Sequence, residues 1–484
     1  MHTHGTIAAG HDKTAEAAAI ILREGGNAFD AAIAAFFASF ITEPCMSSPG
    51  GGGFANIRQA NGQAVLLDFF CQTPKHKRPV SEVEFYPMVV DFGSTTETFH
   101  IGMGSMATPG IIAGIYEIHK RYGTIPMTVL AEPAIELAKN GVVINDFQFF
   151  DIRVLEPILT KEAESRNIFY PNKVPLPVGD VLKMPRMAEY LYFLVREGRE
   201  EFYQGEFAHM VLQHCKERGG FLSADDFKDY QVMARKPLSF PYRDKTILTN
   251  PLPSIGGTLL GLCMRQLQEQ DIDYDPFSPQ HVQRLQAIVD NVFKEDRTQN
   301  NLNSKWGSTS HFNIVDEHNN AISITMSNGE GCGYMVPGTN IMMNNMLGEA
   351  ALLPNGFHSW DLDTRLASMM SPTLVLDAQK QFEIALGTGG ASRIPAAIAQ
   401  VLHYLIDFGF DVETAVHAAR LHNEHNELNL EPEFVGKHKA QDHLNVVNWP
   451  EPAMFFGGVH TIQNRNLKLV GVGDTRREGF AMEV

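Results

Sequence analysis

The sequence predicts an α+β fold, with two β-sheets lying between outer helices. Three observations point there. Hairpin patterns sit toward both chain ends, helical periodicity fills the middle, and one early helix is apolar nearly all round and must be buried. Periodicity alone leaves other mixed layerings of the same elements open.

The elements follow in order. Ala15 to Arg23 is rich in helix formers, with Asp12 before it and Gly25-Gly26 as a stop. Asn27 is placed to cap a second helix, Ala28 to Phe40, the apolar one. Gly50 to Gly53 is a run of four glycines, which lets backbone approach backbone or bares N–H groups to a ligand. Phe54–Gln59 and Ala64–Phe70 flank Asn61-Gly62, a hairpin signal. Ile111–Arg121, Thr128–Asn140, Val181–Glu197 and His281–Arg297 carry helical spacing, and Ser223 with Asp226 forms a helix start. His311–Val315 with Ala321–Ser327, and Thr373–Leu376 with Phe382–Gly387, read as two further hairpins. Ile394–Asp407 and Val412–Arg420 read as helices, and His460–Gln463 and Leu467–Val472 as late strands.

Composition narrows the function classes. The 484 residues are enough for about three domains of ~150 residues, or fewer larger ones. Lys plus Arg is 39 against 56 for Asp plus Glu, a net charge of −17. That balance argues against generic nucleic-acid or anionic-membrane binding, which need basic patches. Five cysteines (Cys45, Cys71, Cys215, Cys263, Cys332) are scattered and form no CxxC, so neither a disulfide framework nor a cysteine zinc site is expected. No stretch reaches ~18 uninterrupted apolar residues, and no basic segment precedes an apolar core at the N-terminus. A cytoplasmic location is the expectation. His2 with His4, and His422 with His425 at helical i, i+3 spacing, lack a third metal ligand. Trp306, Trp360 and Trp449 form no stacking platform, and the glycine run lacks the Lys-Ser/Thr of a phosphate loop.

The most informative stretch is Gly307-Ser308-Thr309-Ser310-His311-Phe312-Asn313-Ile314-Val315-Asp316. A Thr hydroxyl attacks a carbonyl only when a base takes its proton, and a free α-amino group on the same residue is such a base. An internal Thr therefore needs prior chain cleavage to become that nucleophile. A Ser/Thr-rich turn before a strand gives the same local pattern.

Thr309-Ser310-His311-Phe312 with Val315-Asp316 resembles the processing and nucleophile motif of the γ-glutamyltransferase (γ-glutamyltranspeptidase) family, which are N-terminal-nucleophile hydrolases. Other blocks resemble that family in the same order: Gly25 to Ala32, Glu43-Pro44, Gly50 to Phe54, Thr108-Pro109-Gly110 and Tyr122 to Pro126. Asn344-Asn345, Ser368 to Thr373, Gly387 to Ile394 and Gly473 to Arg477 continue the series, so the resemblance runs from about Gly5 to the C-terminus.

The resemblance implies a four-layer αββα sandwich with a helical lobe. It implies a precursor that cuts itself between Ser308 and Thr309, leaving a large chain 1–308 and a small chain 309–484 that stay intertwined as one unit. Thr309 would then form an acyl-enzyme and pass the acyl group to water or an amine. Gly389 and Gly390 fall where the family builds its oxyanion hole, and a slip of one residue would make the pair Gly390 and Ala391. Ser327 matches a hydroxyl that supports the nucleophile. Glu349 and Ser368 fall on substrate-binding positions, with Met369 where well-known members have a second serine. Asn328 lies one residue from another polar substrate contact, in a run, Ser327-Asn328-Gly329-Glu330-Gly331, that departs from the usual form. The family implies no cofactor and no metal, and small amides or peptides as substrates. A homo-oligomer is compatible with all of this.

One departure bears on specificity. The family's γ-glutamyl enzymes place an arginine just after the first hairpin, where its planar guanidinium clamps the substrate's α-carboxylate. Phe70 falls on that position, and the next cations are Lys75, Lys77 and Arg78. Loss of such a contact costs ~2–5 kcal/mol. Three functions follow from the sequence. One is a γ-glutamyltransferase-like amidase acting on glutathione-like amides. A second is an acylase for a different side-chain acyl group, dicarboxylic or other. The third is an unprocessed homologue that binds without catalysis.

Overall fold

The structure is a computed structural model that describes residues 4–91, 96–272, 275–300, 308–424, 426–441, 444–466 and 468–484. Two antiparallel sheets form its centre. The first has seven strands in the order Phe480–Glu483, Gly5–Ala9, Ser310–Asp316, Ala321–Ser327, Gly52–Arg58, Ala64–Phe69, Met233–Arg235. The second has six, in the order Lys468–Val472, His460–Arg465, Phe382–Gly387, Thr373–Leu376, Lys245–Thr249, Leu238–Tyr242. Both sheets take strands from either side of Thr309.

Each sheet is coated by helices on its outer face. Helices Asp12–Arg23 and Ala28–Thr42 share one apolar cluster with Ile7, Ile57, Phe312, Ile314 and Ile324 of the first sheet. Phe36 meets Phe312 edge-on, ring centroids 5.7 Å apart. Helices Gly256–Gln268, Pro279–Asn300 and Ile394–Ile406 cover the second sheet through Ile247, Val375, Ile384 and Leu386. Between the sheets lies a smaller apolar layer that includes Ala8, Val315, Ala321, Leu374, Ala385 and Ile462. The layering is therefore helix, sheet, sheet, helix, as the chain pattern suggests. Between the strands Ala64–Phe69 and Met233–Arg235 the chain builds a lobe of helices, from Ile111–Tyr122 to Ala224–Lys228.

Sequence blocks far apart meet through polar contacts. Asn27 caps the helix Ala28–Thr42 in a reciprocal box with Asp30. Asp30 also accepts bonds from the Thr124 N–H and hydroxyl at 2.9 and 2.6 Å, which ties the first block to Tyr122–Pro126. Asp316 accepts from the Ala28 N–H at 3.0 Å. The glycine run serves backbone approach: a Cβ on Gly51 would lie 2.4 Å from the Ser327 carbonyl, and one on Gly52 2.6 Å from the Cys71 nitrogen.

Three expectations change. Val181-Leu182 is a short strand and the helix begins only at Pro185, because proline suits a first turn and disrupts an interior. Thr128–Asn140 divides into Met127–Leu130 and Glu132–Asn140, where Pro133 starts the second helix. His422 lies on a strand, Leu421–Glu424, so the helical spacing supposed for His422 and His425 does not hold there. His2, Trp306, Gly307, His425 and Leu467 lie outside the described residues.

Candidate active site

The strand Ser310–Asp316 fixes the site by its two-residue period. Ser310, Phe312 and Ile314 face the helices, while His311 and Asn313 face the second sheet. Ser310 donates to Glu43 Oε1 at 2.8 Å, and Asn313 donates to the His460 carbonyl at 2.9 Å. The same alternation carries Thr309 toward the second sheet, where it is 6% exposed and lines a cavity of about 80 Å³.

That cavity gathers residues from across the chain. Thr309, Ser327, Glu349, Ser368 and Phe70 line it, together with Ile255, Met346, Leu352, Met369, Met370, Ala391 and Ile394. Of the residues singled out from sequence, four polar ones thus share one space with Phe70. Asn328 does not reach it: its Nδ2 donates to the Met342 carbonyl at 3.2 Å. Gly389 lies against Thr309, where a Cβ would stand 2.0 Å from the Thr309 carbonyl. Gly390 has φ +133°, a backbone region that L side chains rarely adopt, and the next two residues, Ala391 and Ser392, meet the cavity.

The peptide Ser308–Thr309 is held from several sides. Ser327 Oγ donates to the Ser308 carbonyl at 2.6 Å. The Ser308 N–H and hydroxyl donate to Glu330 Oε1 and Oε2 at 3.2 and 2.5 Å. Arg477 Nη1 donates to the Thr309 carbonyl at 3.2 Å. Sequence reasoning placed Glu330 and Arg477 in motifs without giving either a task. The signal for Glu330 was a carboxylate in a glycine turn that departs from the family form.

The carboxylates around Thr309 are buried, and burial dominates their electrostatics. Burial pushes the Glu349 carboxyl well up, and the Glu330 and Glu97 charges add to this; its Oε1 is buried without a hydrogen-bond partner. Burial likewise raises Glu330 and Glu43, opposed by their serine hydroxyls and by Arg477. Asp151, also buried, is pushed up to about 8 despite Arg477. His311 is held neutral by burial and by His460, while its Nδ1 meets Thr325 Oγ1 at 2.8 Å.

Phe70 closes one wall. It is 1% exposed and stacks on Phe54 with centroids 5.4 Å apart. The neighbouring cations are engaged elsewhere. Lys75 pairs with Asp229 at 2.5 Å, Lys77 lies over the Trp360 ring at 4.5 Å, and Arg78 donates to the Cys215 carbonyl at 3.5 Å. Arg365, which donates to the Phe70 carbonyl, spends its other bonds on Tyr230 and the Gln231 carbonyl and faces Asp68 at 3.6 Å. Among the described residues lining the cavity there is no Lys or Arg.

Comparison with known proteins gives a consistent result. The model of the family described as Gamma-glutamyltranspeptidase matches residues 14–300 and 280–484. The glutathione hydrolase proenzyme of Escherichia coli K12 is 27% identical over 471 residues, which cover 86% of this chain and 80% of that protein. The acylase ACY 1 proenzyme of Pseudomonas sp. SE83 is 27% identical over 531 residues, covering 100% of this chain and 94% of that one. A crystal structure of cephalosporin acylase from Bacillus halodurans superposes with a TM-score of 0.83 at 22% identity, covering 99% of this chain and 96% of its own, and so shares the fold.

Proposed function

This chain belongs to the gamma-glutamyltranspeptidase family, a family of hydrolases and acyltransferases, and from that membership we propose a self-processing amidase whose acyl group is not γ-glutamyl. Thr309 is its nucleophile. In the precursor, Thr309 Oγ adds to the Ser308 carbonyl carbon, the C–N bond breaks, and the hydroxyl proton ends on the Thr309 nitrogen. Water hydrolyses the resulting ester, which frees the Ser308 carboxylate and the Thr309 hydroxyl. In turnover the new α-amino group takes the proton from Oγ as Oγ attacks the substrate amide. An acyl ester forms, the amine leaves with a proton, and water or a second amine takes the acyl group. Chains 1–308 and 309–484 remain together because both contribute strands to both sheets.

The observation that carries the specificity is Phe70 in the cavity wall, where a γ-glutamyl enzyme needs a cation. With Lys75, Lys77, Arg78 and Arg365 all bound elsewhere, a substrate carboxylate entering this space faces Glu349 and, among the described residues lining it, no Lys or Arg. An acyl chain that is apolar along its length fits Ile255, Met346, Leu352 and Met370 better than a γ-glutamyl or dicarboxylic group does.

The test compares three anilides: γ-glutamyl, its α-carboxamide, and pentanoyl. A carboxylate clamp makes α-amidation cost roughly 30-fold or more in kcat/KM. Here the expected change is under about threefold, with the pentanoyl compound at least as good a substrate. A 30-fold loss on amidation overturns this specificity and restores the γ-glutamyl reading.

A further inference from the structure

We propose that Glu330 is a positioning residue for self-cleavage, holding Ser308 in register for attack by Thr309. The role rests on the self-processing reading above. Ser308 is the residue whose carbonyl carbon is attacked, and it has two anchors. Ser327 holds its carbonyl oxygen at 2.6 Å. Glu330 holds its N–H at 3.2 Å and its hydroxyl at 2.5 Å, one carboxylate oxygen each. Together these anchors hold Ser308 at its N–H, its hydroxyl and its carbonyl oxygen.

The chemistry makes such fixing valuable. An attack by a neighbouring hydroxyl on the preceding carbonyl needs the two atoms in contact with the orbitals aligned, and a freely turning peptide spends little time there. Glu330 is itself well placed to stay still. It is 3% exposed, and its own N–H donates to Asn345 Oδ1 at 2.8 Å. Burying a carboxylate is costly unless it gathers hydrogen bonds and a counter-charge. Both bonds from Ser308 and the field of Arg477 supply them. The charged groups that face Glu330 are Arg477, Asp151 and Glu349, with the Cys45 thiol nearby. The covalent step is unchanged: the new bond is Oγ to carbon, the broken bond is carbon to nitrogen, and the proton moves from hydroxyl to amine.

The experiment follows intact mass with time after cell-free synthesis of the full chain. It compares wild type with Glu330→Ala, Glu330→Gln, Ser308→Ala and the Ser308→Ala/Glu330→Ala pair, with melting curves to confirm folding. Glu330→Ala is expected to slow cleavage about 10- to 100-fold, the effect of losing a charge-assisted bond. Glu330→Gln, which keeps one acceptor, should fall between that and wild type. The double variant should cleave no more slowly than Glu330→Ala alone, because both changes remove the same contact. Cleavage of both single variants at the wild-type rate, or fully additive losses, overturns the role. Should Glu330→Ala fail to fold, Glu330→Gln and Ser308→Ala decide the matter: wild-type rates for both overturn it, and slowing of both supports it. A wild type that stays at one mass overturns self-cleavage itself, and this role with it.

Discussion

Ser327 Oγ donates a 2.6 Å hydrogen bond to the carbonyl oxygen of Ser308 and at the same time accepts one from the Gly329 N–H at 3.0 Å. The second bond orients the first. With a lone pair engaged by Gly329, the hydroxyl proton is directed at Ser308, on the oxygen that gains negative charge if Thr309 attacks. A donor already aimed at developing charge needs no reorganisation when the charge appears.

Replacing Ser327 by Ala removes that donor and leaves the strand intact. Self-cleavage should slow roughly 10²- to 10³-fold, the effect of deleting one oxyanion donor. A time course by mass spectrometry reads this directly. Cleavage of Ser327→Ala at the wild-type rate assigns the hydroxyl a purely structural place.

Thr309→Ala should stay a single chain of 53.7 kDa and hydrolyse no amide. Wild type should give fragments of roughly 34 and 20 kDa, with Thr309 as the new N-terminus. Thr309→Ser keeps a hydroxyl and should cleave at a reduced rate. An active uncleaved Thr309→Ala protein is the result that removes Thr309 from the mechanism.

Phe70→Ala opens the cavity wall and unstacks Phe54. The loss of a buried ring costs about 3–5 kcal/mol, so the melting temperature should drop. Longer or bulkier acyl chains should gain relative to the pentanoyl compound. An unchanged acyl-length preference places Phe70 outside the acyl pocket.

Asp151 sets a pH dependence of stability. Burial raises its folded pKa to about 8 from an ordinary value of 3.8, so between these values the folded chain binds more protons than the unfolded one. This contribution is fully present below pH 3.8 and is lost as the pH rises through about 8. Asp151→Asn has no proton to lose. Its melting temperature should rise relative to wild type from pH 4 to pH 8 and then level off, while a constant difference across that range points to packing alone.

Much of the architecture is legible along the chain. Asn27 and Asp30 announce their helix by a capping pattern that needs only four residues. Asn61-Gly62 marks its hairpin, and Gly62 takes φ +88°, as such a turn requires. Thr373–Leu376 and Phe382–Gly387 are strands at the bounds their residues suggest. The boundary at Pro185 was also in the sequence, since proline begins helices more readily than it continues them. The strand at His422 was not legible, because it is made by pairing with Glu427–Leu430, where His422 lies opposite Asn429, and strand pairing overrides local helix spacing.

The sequence by itself determined most of the local elements, the Ser308-Thr309 motif, and the absence of a cation at position 70. These depend on neighbours within a few residues, where periodicity and turn chemistry act. Only the tertiary structure decided that Phe70, Glu349 and Ser368 share a cavity with Thr309, that Lys75, Lys77 and Arg78 turn to other partners, and that Glu330 grips Ser308. The reason is physical. A side chain's direction on a buried strand is set by pleat and register, and the partners of a buried charge are set by whichever distant groups the packed sheets bring within hydrogen-bond reach.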